Sequence, residues 1–263
     1  MINSGIFFGC VSKHKIEVDM VKQIALLGLG SVFSITLTAS ESETYIEAEH
    51  YYYEEPGLMD KESAPLFFNL GTRSYQTLEN ETTALFYNFR LGYGLTDYKG
   101  SGTTSGDPTY RLQGEVGLIS PQGNIRIFGG FGYRWLYDDW GGKVSSTGAY
   151  AYDRQSRYWY LPLGVFIPKN NGGWRFQYNY FIEGEQTSYL TNVPGYLNDI
   201  VNTQDSGGGF EVEYKFDDSW AIYLRSWNID DSNLQVIRTT SGNSLGYEPK
   251  NETVEFGLTV FFD

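Results

Sequence analysis

From residue 41 to its end the chain contains no helix-period segment of useful length, and runs instead as stretches in which alternate residues are apolar. A two-residue period sends successive side chains to opposite faces, so this part of the chain reads as strands with one apolar and one polar face. In 84–95 the apolar face holds Leu85, Tyr87, Phe89, Leu91, Tyr93 and Leu95, and the other holds Ala84, Phe86, Asn88, Arg90, Gly92 and Gly94. Residues 174–183 set Trp174, Phe176, Tyr178, Tyr180 and Ile182 against Arg175, Gln177, Asn179, Phe181 and Glu183. The last stretch sets Val254, Phe256, Leu258, Val260 and Phe262 against Glu255, Gly257, Thr259 and Phe261.

The same pattern gives ten strands, at about 44–54, 64–75, 83–97, 109–119, 125–138, 156–167, 173–185, 208–216, 219–229 and 251–262, with eight as the alternative count. Short turns follow the even-numbered strands, while the connections after the odd-numbered ones are mostly longer and polar, up to 186–207 and 230–250. That alternation predicts an all-β, up-and-down antiparallel transmembrane barrel with long external loops, short periplasmic turns and both termini in the periplasm. Bulky aromatics at the ends of the apolar faces, such as Trp174 and Tyr137, fit interfacial girdles and lipid on the apolar side. A secreted two-sheet sandwich is the soluble alternative.

Residues 20–40 read as a secretory signal: Lys22, an apolar run from Ile24 to about Leu37, then the small residues Thr38, Ala39 and Ser40. Residues 1–19 are then an upstream extension, and 41–263 a single outer-membrane barrel domain. The full chain has 19 basic and 32 acidic residues, and 16 and 30 of them remain after residue 40. So acidic a chain argues against nucleic acid as a partner, since phosphate contacts need a surplus of Lys and Arg. The single cysteine, Cys10, lies in the removed part, which leaves no disulfide and no Cys-based metal site.

In its signal, its strand grammar and its final strand, the chain resembles bacterial outer-membrane β-barrel proteins of the small, porin-like kind. Its last strand, alternating to Phe262 with Asp263 after it, is similar to the C-terminal signal that such proteins present to the barrel-assembly machinery. The resemblance implies an outer-membrane location, with outer-membrane lipids and lipopolysaccharide as neighbours. Barrel enzymes of this kind act on lipid or peptide and use a histidine. Beyond residue 40 the sequence offers only His50, which shares a face with Ile46, Ala48 and Tyr52 and points toward lipid. No catalytic residue, cofactor or metal is therefore expected. Asp138–Asp139 and Asp230–Asp231 read as solvated loop charges, and the loop tyrosines Tyr150, Tyr152, Tyr189 and Tyr196 as loop packing or an adhesive surface.

The polar faces place eight cations in the lumen (Arg73, Arg90, Arg111, Arg126, Arg134, Arg175, Lys215, Arg225) and seven acids (Glu47, Glu49, Glu115, Glu183, Glu211, Glu213, Glu255). Six of the cations lie on strands two to seven, and five of the acids on strands one, eight and ten, so a basic arc faces an acidic one. Held apart by water, the arcs make a narrow channel for small polar or charged solutes. Joined as ion pairs, they plug the barrel and leave a scaffold or adhesin acting through its external loops. The lumenal glycines Gly92, Gly94, Gly117, Gly130 and Gly132 would leave room beside the arginines, which favours the channel.

Overall fold

The computed structural model describes residues 37–78, 83–120, 123–170 and 172–262, with side chains from Ser42 onward. The predicted upstream extension and most of the predicted signal lie outside the described residues. The first strand starts at Leu37, within the stretch read as the end of the signal.

Among the described residues thirteen strands follow in chain order: β1 (Leu37–Glu55), β2 (Met59–Leu78), β3 (Ala84–Lys99), β4 (Thr103–Ile119), β5 (Arg126–Asp138), β6 (Arg154–Lys169), β7 (Gly172–Ser188), β8 (Ile200–Gln204), β9 (Gly207–Lys215), β10 (Trp220–Ile229), β11 (Gln235–Thr239), β12 (Gly242–Gly246) and β13 (Asn251–Phe262). Ten of them close on themselves in the order β1-β2-β3-β4-β5-β6-β7-β9-β10-β13, with β13 antiparallel to β1 from Thr44↔Phe262 to Glu54↔Glu252. Closure removes every free sheet edge from the wall, which is what a strand-built membrane span requires. The count is the predicted ten.

The other three strands build the external end. β8 adds to β7 beyond the wall, and β11 and β12 form a separate ribbon within the 230–250 connection. The first two external connections are tighter than predicted. Only residues 56–58 join β1 to β2, and residues 100–102 join β3 to β4. The extension of β2 escapes a search for apolar alternation because Asp60, Lys61, Glu62 and Ser63 are polar on both faces, even though Lys61 and Ser63 point inward and are buried.

The two faces differ as a membrane barrel demands. Outward positions are apolar and uncovered: Ile127 is 67% exposed, Phe256 57% and Leu91 47%. Near the short turns, at the end predicted to be periplasmic, Trp174, Phe176, Tyr214, Phe216 and Trp220 form a continuous row of ring contacts. Nearer the external end Tyr93, Tyr110 and Tyr137 do the same across β3, β4 and β5. These are the interfacial girdles. His50 is exposed on the outer wall, as predicted.

Candidate functional site: the lumen and its external mouth

The lumen is built from the inward positions of all ten wall strands, and its charges meet across it in three levels. At the periplasmic end Glu43 on β1 accepts from Arg73 Nε at 2.7 Å and from Lys215, while Arg73 Nη1 reaches Glu213 at 2.8 Å. The Arg73 guanidinium and the Lys215 ammonium both lie over the Phe261 ring, at 4.6 and 4.5 Å. A cavity of about 300 Å³ opens here, with Arg126 and Phe166 on its wall.

The middle level is continuous. Glu47 accepts from Arg225 Nη2 at 2.7 Å and lies 3.5 Å from Arg90, and Arg225 Nε holds Glu211 at 3.0 Å. Arg111 bridges Glu49 at 2.6 Å and Glu255 at 3.1 Å, and Arg134 takes the same Glu255 oxygen at 2.6 Å. Around Glu115, Tyr160 donates at 2.9 Å and Gln177 at 2.8 Å, and Arg175 lies 3.4 Å away. Gln113 links this group to the rest, donating to Tyr160 and accepting from Arg90. Glu49 and Glu255 are 0% exposed, Arg111 and Arg134 1%, and Arg90 2%. Side chains lining a water-filled pore would be wetted, and these are not.

Above this level sits an apolar plug that the sequence reading missed: Tyr51, Phe67, Leu136, Tyr158, Tyr160, Phe181, Trp227 and Ile229 pack together inside the wall. The signal was present, because Tyr51 and Tyr53 share the inward face of Glu47 and Glu49, and Trp227 that of Arg225. Treating apolar faces as lipid faces hid it. The lumenal glycines serve the same packing. A Cβ on Gly92 or Gly94 would strike the Phe67 ring, one on Gly132 the Tyr160 ring, and those on Gly117 and Gly130 the facing backbone. Each glycine therefore seats a neighbour and leaves no space for water.

Of the fifteen predicted lumen residues, thirteen take part in this lattice, Arg126 lines the cavity at its end, and Glu183 is corrected. Glu183 points outward and is exposed, because an extra residue at Ile182 shifts the β6–β7 register between Tyr160↔Phe181 and Trp159↔Glu183 and reverses the faces beyond it. Arg126 stands half-exposed at the periplasmic rim, 5.7 Å from the Phe166 ring, below the ion-pair lattice. The two arcs are segregated by strand as predicted, but they interdigitate: Arg73 on β2 pairs with Glu213 on β9, and Arg134 on β5 with Glu255 on β13.

Sequence reasoning also missed the charges of the external mouth. Asp138, read as a loop charge, is buried and holds Lys61 Nζ at 2.6 Å. Arg154 Nη1 reaches Glu55 at 2.9 Å, and its Nη2 reaches Glu248 at 2.6 Å and the Tyr53 hydroxyl at 2.9 Å. Asp107 holds Lys143. Burial, with the nearby Glu55 carboxylate, pushes the Glu248 carboxyl up to about 8 against the opposing pull of Arg154. Over these groups lies a cavity of about 330 Å³, walled partly by Tyr98, Trp140, Tyr150, Tyr152 and Tyr247. Asp139, Asp230 and Asp231 are exposed loop residues, and among the described residues no cluster of metal-ligating side chains occurs.

A closed ten-stranded antiparallel wall, apolar and girdled by aromatics outside and polar within, is the build of a transmembrane β-barrel. No family model matches the chain, and no curated protein matches it. Among solved structures it is similar to the outer membrane protease OmpT from Escherichia coli, at 11% identity over 88% of this chain and 99% of that one, with a TM-score of 0.48. It is also similar to the translocator domain of the autotransporter NalP from Neisseria meningitidis (13% identity, 95% of this chain and 97% of that one, TM-score 0.38). A third likeness is to Ail, the attachment invasion locus protein of Yersinia pestis (9% identity, 86% and 100%, TM-score 0.31).

Proposed function

We propose that this protein is a non-enzymatic outer-membrane barrel with a closed lumen, a rigid scaffold that works through its external end. The observation that carries the reading is the dry middle level, where Glu49, Arg111, Arg134 and Glu255 are joined by ion pairs and all but excluded from water. A narrow water-filled channel, the reading favoured by the sequence, would need those pairs apart. The external end supports the alternative: β8 and the β11–β12 ribbon project beyond the wall, and Leu197, Leu234 and Leu245 are at least 60% exposed there. Exposed apolar residues grouped at the tip of a barrel suit contact with another molecule at the cell surface. In this reading the wall lies against outer-membrane lipid and lipopolysaccharide, and the β13 strand ending at Phe262 is the segment read by the assembly machinery.

Liposome swelling tests the reading. Vesicles carrying the folded protein should swell no faster in small sugars or amino acids than vesicles without it. Swelling that falls with solute size would return the channel reading.

A further inference from the structure

The charges of the external mouth do not balance. Lys61 is matched by Asp138 and Lys143 by Asp107, but Arg154 alone faces both Glu55 and Glu248, and it binds the Oε1 atom of each. The two carboxylates border the cavity of about 330 Å³, a size suited to a small molecule. Rings form part of its wall, with Trp140 against Tyr98 at 5.6 Å between centroids and Tyr150 and Tyr247 half-exposed. We propose that this cavity binds a small organic ammonium ion, which sets its charge beside Glu55 and Glu248 and its carbon shell against the tyrosine and tryptophan rings.

The chemistry selects that class. Aromatic faces attract cations and are most effective when the cation carries a weakly hydrated alkyl shell. An anion would meet two carboxylates on the cavity wall against the single Arg154 that both already engage. A neutral ligand would leave the surplus to a proton on Glu248 and gain nothing from the second carboxylate, and a bare metal ion would gain little from the rings. The groups facing Glu248 are Arg154 and Tyr158 from β6, Tyr53 and Glu55 from β1, and Tyr152 from the β5–β6 loop, with Lys61 of β2 next to Arg154. Arg154 and Lys61 are therefore the nearby cations, and Asp138 already holds Lys61. In the empty site a proton on Glu248 offsets the surplus charge up to about pH 8. A bound ammonium ion takes the proton's place, so its affinity should rise with pH, by up to about tenfold per unit below 8, and level off above it. The site stands at the mouth whether or not the middle of the lumen conducts, so this experiment and the swelling assay fail separately.

The test uses the full chain folded in a maltoside detergent, which carries no ammonium group. Choline is titrated by tryptophan fluorescence and calorimetry, beside its neutral isostere 3,3-dimethylbutanol and a neutral sugar. Choline should bind, more tightly at pH 8 than at pH 6, and the neutral compounds should not. Glu248→Gln should abolish the pH dependence and weaken binding at pH 9 at least tenfold, while unheated and boiled samples still migrate differently in gels, as those of a closed barrel should. Should that variant fail to fold, the wild-type comparison of choline with its isostere decides. Equal binding of the two, no choline binding at any pH, or choline binding unchanged in folded Glu248→Gln would overturn the proposal.

Discussion

The middle of the lumen and its external mouth use the same residue types to opposite ends. In the middle, Arg90, Arg111, Arg134, Arg175 and Arg225 meet Glu47, Glu49, Glu115, Glu211 and Glu255, and the result is dry and filled. At the mouth one guanidinium serves two carboxylates, tyrosines stand around a cavity, and a titrating group remains. Charge matching makes a plug, and charge mismatch beside aromatic walls makes a place for a ligand. A buried pair adds little net stability, because desolvation offsets attraction, yet removing one member of it is costly.

The largest expected effect comes from breaking that match in the middle. Glu255→Ala leaves the buried Arg134 without its carboxylate and Arg111 with Glu49 alone, and should cost about 3–5 kcal/mol in urea refolding into lipid vesicles. The same logic revises an expectation of the channel reading, in which Glu211→Lys and Glu213→Lys would change selectivity and leave folding intact. Both residues are buried partners of arginines, so reversal should impair folding. On the outer wall, Leu91→Arg puts a charge into lipid and should cost about 2–4 kcal/mol near the midplane.

The mouth should respond to pH. Glu248 is held above its unfolded value of about 4.5, so its contribution to stability is full below that pH and disappears as the pH rises through about 8. Glu248→Gln should match wild type at pH 4 and be the more stable of the two at pH 9, read as thermal unfolding. If wild type instead gains on the variant as pH rises, Arg154 dominates the site and the mismatch is not real. The smallest effect belongs to Arg157→Ala on the outer wall. Its pair with Glu185 is more than a third exposed on both sides, and its loss should change stability by at most about 1 kcal/mol.

Most of the architecture was legible because lipid outside and polarity inside write a two-residue period into the chain. Strand count, closure, girdles and the outward His50 all follow from it. The faces failed where the period is interrupted, at Ile182, since one inserted residue reverses everything after it and leaves no mark in composition. Arc segregation was legible from strand order, but contact between the arcs was not. Whether Arg134 reaches Glu255 depends on barrel width and on rings such as Tyr160 lying over Gly132, neither of which is a local property of the sequence. The mouth site was hidden for a related reason: Glu55, Arg154 and Glu248 lie far apart in the chain and meet only on closure.

The account turns on whether the ion pairs close the lumen, and voltage-clamped planar bilayers measure that directly. Wild-type protein should insert without steady single-channel conductance. A variant with Arg111→Ser and Glu255→Ser together, which trims both members of the central pair and keeps charge balanced, should open a small conductance once Phe67→Ala and Trp227→Ala also thin the apolar plug above it. A steady, cation- or anion-selective conductance from the wild type would contradict the closed barrel.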